Sequence, residues 1–229
     1  MQQNFTITLI TLIAITCLSS TLFAQERGDE NWGAWYMYFG TNKIAEKWSI
    51  HTEAQFRYYE VTTNFNQMLL RTGMNYHISD NAIATLGYAF IETDLLFEEF
   101  QGEPNSLENR IFEQFILKNE VGNFAFEHRY RLEQRFLHLN EVNETQHRAR
   151  YRLLLTYPLD DQWFLSAYDE IFINLQDPIF NQNRLFAALG YKIKDNLNVQ
   201  LGYLKNHFSG IDFDRLQLAV FFNTDFTKN

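Results

Sequence analysis

Cysteine is nearly missing from this chain. Its one cysteine, Cys17, sits inside an apolar N-terminal stretch that carries no charge. The first charged residue is Glu26. Once that stretch is removed, disulfides, thiolate metal sites and a cysteine nucleophile are excluded. Proline is scarce at 3 and glycine modest at 10, a composition that argues against low complexity and disorder. Beyond the N-terminal stretch, no apolar run is long enough for a membrane helix. No basic patch stands clear of acids, and the net charge is −9, which argues against nucleic acid as a partner. Neither a GxSxG elbow nor an HExxH spacing occurs.

What the chain has is aromatic residues, at 17% of the total, within a hydrophobic fraction of 46%. The N-terminal stretch 5–23 ends in Leu22-Phe23-Ala24 and then turns polar. It resembles a secretory signal cleaved after Ala24. The expected organisation is a signal peptide over 1–24 and a single outer-membrane β-barrel domain over 25–229. Lipidation at Cys17 is the weaker alternative, because Ile15-Thr16 does not offer the small residue a lipoprotein peptidase prefers.

The remainder alternates with a period of two, the signature of strands with two unlike faces. The clearest stretch runs from Phe124 to Tyr157. Glu127, Arg129, Arg131, Glu133 and Arg135 fall on one face, with Phe126, His128, Tyr130, Leu132 and Phe136 on the other. Arg148, Arg150 and Arg152 repeat the pattern, opposite Ala149, Tyr151, Leu153 and Leu155. Further strands are expected over 48–59, 66–78, 82–91, 107–118, 162–173, 184–193, 197–207 and 213–222. Most have nine or more residues, which matches the roughly 9–11 that cross a bilayer when tilted. Short turns at 79–81, 120–123, 158–161 and 194–196 alternate with loops at 60–65, 93–106, 137–144, 174–183 and 208–212. That alternation is the pattern of an outer-membrane barrel.

The fold expected is therefore all-β: an antiparallel up-and-down transmembrane β-barrel of about 10–12 strands. Strands over 48–222 make ten, with both chain ends on the periplasmic side. The aromatic segment 32–39 is left over as an unassigned eleventh candidate, or else a twelfth strand is hidden.

Several runs resemble a bacterial family filed as domain of unknown function 2490. They are WSIHTEAQFRY at 48–58, LRTG at 70–73, LGY at 86–88, ENR at 108–110, HRYRLEQRF at 128–136 and RARYRL at 148–153. The resemblance covers nearly all of the chain after the signal, and HRYRLEQRF followed by RxRYRL is its most specific part. It implies an outer-membrane β-barrel, and it carries over no catalytic residues.

If the aromatic face meets lipid, the charged face points inward. The residues expected there, as an interior charge network or an anion contact, are Glu53, Arg57, Arg71, Glu108, Arg110, Glu127, Arg129, Arg131, Glu133, Arg135, Arg148, Arg150, Arg152 and Glu170. Buried charges must be paired to be tolerated, and small barrels are filled by side chains. A paired network with a structural or binding role is accordingly the leading expectation. A small anion-preferring pore is the alternative, since arginine rings select anions. A lipid-modifying enzyme at the rim, drawing on His128, His138, His147, His207, Ser166, Ser209 and Asp169, is a further one. A soluble lipocalin-like barrel is the last.

No cofactor, no metal and no enzymatic activity are expected. The acidic run Glu98, Glu99, Glu103 matches no calcium-loop spacing. The partners expected are outer-membrane lipid, the barrel-assembly machinery and a small anionic solute.

Overall fold

The period-two pattern resolves into eleven strands among the described residues. The structure, a computed structural model, describes residues 28–97 and 105–227. The expected signal segment and the Glu98, Glu99 and Glu103 run lie outside them. The strands are β1 (Gly33–Ala45), β2 (Trp48–Tyr58), β3 (Phe65–Ser79), β4 (Ala82–Thr93), β5 (Ser106–Val121), β6 (Phe124–Leu139), β7 (Val142–Pro158), β8 (Trp163–Asn174), β9 (Phe180–Lys194), β10 (Leu197–Phe208) and β11 (Ile211–Asp225). Each pairs with its neighbours in sequence, and β1 pairs with β11 to close the barrel. Closure removes every sheet edge.

The leftover segment is the closing strand. β1 runs parallel to β11, with Ala34 opposite Leu216 and Tyr38 opposite Val220, while all other pairs are antiparallel. The expected ten-stranded barrel with both ends on one side is thus corrected to eleven strands with the ends on opposite sides. The alternation in β1 is obscured because both of its faces are apolar. Trp35, Met37 and Phe39 point inward and Tyr36 and Tyr38 outward.

Two expected loops are also corrected. The connections at Asn140-Glu141 and Ser209-Gly210 are tight turns, held by left-handed residues, Asn140 (φ 53) and Gly210 (φ 81). Asn and Gly are the residues that adopt this conformation at least cost. The longer connections that remain, after β2, β4 and β8, share one end of the barrel.

β1 enters from that long-loop end, so residues 28–32 lie at its mouth. Arg215 Nη1 donates to the Asn31 carbonyl at 3.1 Å, and Trp32 packs on Tyr203 at 5.7 Å between ring centroids. Gly28 is required there. Its φ is +70, and a Cβ would come 2.5 Å from the Phe97 ring.

The interior has two unlike walls. Strands β2 to β8 turn mostly charged and amide side chains inward. Strands β9 to β11 and β1 contribute an apolar cluster of Trp35, Met37, Phe186, Ala188, Leu204 and Ala219. The outer face is apolar and exposed, with Leu86, Leu201, Leu185, Leu132 and Ile111 among its residues. Aromatic pairs band it at both ends. Trp48–Tyr76, Phe124–Tyr157 and Trp163–Tyr191 lie toward the short turns, and Tyr36–Tyr58 and Tyr58–Phe65 toward the long loops.

Candidate functional site in the barrel lumen

The lumen is a cavity of ≈ 1140 Å³. Its lining reaches from Lys43 and Asn196 at the short-turn end to Leu95 and Phe213 at the other. Every arginine among the described residues lines it: Arg57, Arg71, Arg110, Arg129, Arg131, Arg135, Arg148, Arg150, Arg152, Arg184 and Arg215. All fourteen residues read from the sequence as inward-facing are placed on this face, and Glu133 is buried behind the lining.

Strand register explains how these charges are arranged. Directly opposite positions often carry like charge: Arg131 faces Arg150, Arg129 faces Arg152, and Arg110 faces Arg135. Such pairs repel. Glutamates take up the guanidinium groups, directly across a strand pair at Glu133–Arg148 and Glu53–Arg71 and diagonally or along one strand elsewhere. Glu133 receives Arg148 at 2.7 Å and Arg150 at 2.6 Å, with Arg110 at 3.4 Å and Arg131 at 3.8 Å. Glu170 receives Arg150 and Arg129, each at 2.7 Å. Glu108 holds Arg110 at 2.6 Å and Arg135 at 2.8 Å. Glu53 holds Arg71 at 2.6 Å and contacts His51 at 3.0 Å. Glu127 holds Arg152 at 2.6 Å. Hydrogen-bonded Arg–carboxylate pairs of this length are the strong, charge-assisted kind.

Aromatic faces support the arginines from below. Arg71 and Arg131 lie over Phe112, at 5.3 and 5.0 Å from its centroid. Arg148, Arg150 and Arg184 lie over Phe172 at 5.1, 4.1 and 4.6 Å. Both rings are wholly buried. The ring quadrupole attracts a cation, more so where water is displaced.

The charges do not balance. Five glutamates face eleven arginines in the body of the lumen. The short-turn rim adds Lys43 and Lys118 against Glu46, Asp80 and Asp225, close to neutral. Arg57, Arg184 and Arg215 form no ion pair among the described residues. Arg131 spends Nε and Nη2 on the neutral oxygen of Gln114, and its Nη1 has no hydrogen-bond partner. Arg184 and Arg215 were not marked by the sequence. Each is a lone arginine whose nearest inward neighbours along its strand are Phe or Gln, so no row of charge announces it.

The rim-enzyme residues do not converge. His128 faces outward against the Tyr151 hydroxyl at 2.9 Å, and His138 contacts Asn143 at 2.8 Å. Asp169 accepts from Asn183 on the outer face, while Ser166 is buried in the lumen wall. Only His207 finds a carboxylate, Asp212, on the exposed far end of β10 and β11. An unmarked contact does form inside: Ser49 meets His77 Nε2 at 2.8 Å, and Asn75 donates to the same hydroxyl at 3.0 Å. Among the described residues no group of His, Cys, Asp and Glu has the arrangement of a metal site.

Comparison with known proteins places the chain in a family. An uncharacterised protein of Methylorubrum extorquens is 26% identical over 168 residues, covering 67% of this chain and 71% of the relative. The profile of the family described as Protein of unknown function (DUF2490) matches residues 32–217, from the residue before β1 into β11. The match spans most of the barrel, and the chain belongs to that family.

Proposed function

We propose that this protein is an outer-membrane β-barrel whose arginine-lined lumen binds and passes small anions. The observation that carries the reading is the excess of arginine over glutamate in the lumen. Guanidinium groups stay charged at any physiological pH. Holding them unpaired in a protein interior is costly, and apolar packing would be cheaper if the barrel only needed filling. An anion drawn from solution supplies the missing charge, as it does in arginine-lined pores.

The membrane part of the reading is supported by the outer face. Contiguous exposed apolar surface of this extent is rare on soluble monomers. A band of Leu, Ile and Val flanked by aromatic girdles is the lipid-facing pattern of outer-membrane barrels. Strands of 11 to 17 residues meet or exceed what a tilted crossing needs. Residues 1–24 serve as the export signal in this reading. Outer-membrane lipid and the barrel-assembly machinery are the partners, and no catalytic step is assigned.

A second reading rests on Glu133 and Glu170, whose multiple arginine partners tie β5, β6, β7 and β8 together. In it the lumen is a structural brace that passes nothing.

Two measurements decide. Cell fractionation and heat-modifiable gel mobility should place the protein in the outer membrane as a folded barrel; recovery as a soluble periplasmic protein sinks the membrane reading. In a planar bilayer under a potassium chloride gradient, the reversal potential should show anion preference. Absence of any conductance leaves the brace.

A further inference from the structure

Two of the three arginines without an ion pair come together. Arg57 and Arg184 come from opposite walls of the lumen and meet at one ring, Trp35. The Arg57 guanidinium carbon lies 3.9 Å from the Trp35 centroid and that of Arg184 lies 4.8 Å from it. The two guanidinium carbons are therefore no further apart than the sum of those distances. Two like charges this close in a buried site repel, and no carboxylate among the described residues is within ion-pair distance of either.

Their partners are neutral amides instead. Arg57 donates to Gln55 Oε1 at 3.1 and 2.5 Å and to Gln67 Oε1 at 2.6 Å. Arg184 donates to Asn206 Oδ1 at 3.4 Å and Gln182 Oε1 at 3.5 Å. An amide oxygen orients a guanidinium without cancelling its charge. This differs from the neighbouring network, where glutamates do both. The amide oxygens of all four partners are turned to the arginines, and the side-chain N–H groups of Gln55 and Gln67 are spent on Glu53 and on Thr93 at 2.7 Å. The open donor is Trp35 Nε1. It sits on a residue 4% exposed, and it has no hydrogen-bond partner among the described residues. A buried donor left without a partner is destabilising, so a site that keeps one alongside two unneutralised cations is built to meet an acceptor.

We infer that Arg57, Arg184 and Trp35 form a binding site, in the long-loop half of the lumen, for a doubly charged oxyanion such as inorganic phosphate. Two guanidinium groups match two negative charges. Donors from three directions suit a tetrahedral group whose oxygens are acceptors, each taking hydrogen bonds of about 2.7–2.9 Å. A lone monovalent halide uses neither the second charge nor the geometry. The position favours capture, because Arg57 and Arg184 both lie near the long-loop ends of their strands. The inference rests on the anion-admitting lumen proposed above and adds a discrete, selective stop within it.

The test uses the full-length mature barrel folded in detergent micelles. A Trp32→Phe, Trp48→Phe, Trp163→Phe variant leaves Trp35 as the sole tryptophan reporter and leaves both arginines in place. Titration with inorganic phosphate at low ionic strength should shift Trp35 emission along a saturable curve. Sulfate should compete, and chloride at equal ionic strength should not. Arg57→Gln and Arg184→Gln should each weaken the apparent affinity at least tenfold while heat-modifiable mobility is retained. Phosphate binding by calorimetry with no change in Trp35 emission overturns the site, as does unchanged affinity in the Arg57→Gln, Arg184→Gln double variant. If phosphate does not bind but bilayer currents remain anion-selective, the site fails and the lumen reading stands. If currents show no anion preference, the lumen reading itself has failed.

Discussion

Gly87 and Phe112 are cross-strand partners, and the glycine is there because the ring needs its space. A Cβ on Gly87 would lie 2.4 Å from Phe112 Cζ and 2.5 Å from the Thr72 carbonyl oxygen. The small inward positions of β4, with Ala89 beside Gly87, let Phe112 lie flat as a platform for Arg71 and Arg131. Gly87→Ala is expected to destabilise the barrel by about 1–3 kcal/mol through overpacking, read as a lowered urea midpoint in micelles with an unchanged slope. Adding Phe112→Leu should recover part of that loss, because the two residues share one volume. Additive losses would show that the contact does not govern the site.

Glu133 is the hub of the interior charge. Its carboxylate is fully buried and accepts from Arg148 and Arg150 with Arg110 close behind. Glu133→Gln keeps the shape and removes the charge, leaving buried guanidinium groups without their counter-ion. Breaking a buried pair this way costs about 3–5 kcal/mol. Glu127→Gln breaks only the Arg152 pair, whose side chains are 18% and 21% exposed; water screens such a pair, so a loss of under about 1 kcal/mol is expected. Comparing the two unfolding midpoints checks the ranking. Equal losses would mean that the lumen is wetter at Glu133 than its burial implies.

The inward and outward faces were legible in the chain because strand alternation is a local signal. HRYRLEQRF needs no partner to show which of its residues share a side. Three things were not local. The parallel pairing of β1 with β11 joins residues almost two hundred positions apart, and β1 hides its period by being apolar on both faces. The turn at Asn140-Glu141 depends on one left-handed residue inside a polar run that reads as loop. Arg57 was recognised as inward, but its pairing with Arg184 through Trp35 follows from barrel closure, which brings β1, β2 and β9 around one space. The charge imbalance likewise needed the whole ring of strands. In sequence the glutamates near Arg129–Arg152 look sufficient, and the deficit appears only when Arg57, Arg184 and Arg215 join the same cavity.

Asp160 gives a pH prediction outside the barrel wall. Its carboxylate accepts the backbone N–H groups of Trp163 at 2.7 Å and Gln162 at 2.8 Å, closing the turn between β7 and β8. These bonds hold its pKa below the ordinary 3.8. A depressed carboxylate pKa stabilises the turn above the unfolded value, and that contribution fades as pH falls through the folded one. The amide resonances of Gln162 and Trp163 should therefore titrate with a midpoint under 3.8. Asp160→Asn should abolish the titration and leave the rest of the spectrum in place. A midpoint at or above the ordinary value would remove the charge-assisted turn.

The barrel seam can be tested by cross-linking, because the mature chain expected from the sequence contains no cysteine. Parallel pairing puts Tyr36 opposite Leu218 and Tyr38 opposite Val220. An antiparallel β1 pivoting on the Tyr36–Leu218 contact would instead bring Tyr38 to Leu216. Disulfides need Cα atoms about 4.4–6.8 Å apart, so the two arrangements predict different bonds. Oxidation of a Tyr38→Cys, Val220→Cys variant should give an intramolecular bond, seen as a reductant-sensitive shift in the mobility of the heat-denatured chain. The Tyr38→Cys, Leu216→Cys variant should give little. The reverse result would make the seam antiparallel. Formation of neither bond, with heat-modifiable mobility intact, would mean that the barrel closes without β1. Trp35 would then leave the lumen, and the meeting point of Arg57 and Arg184 would go with it.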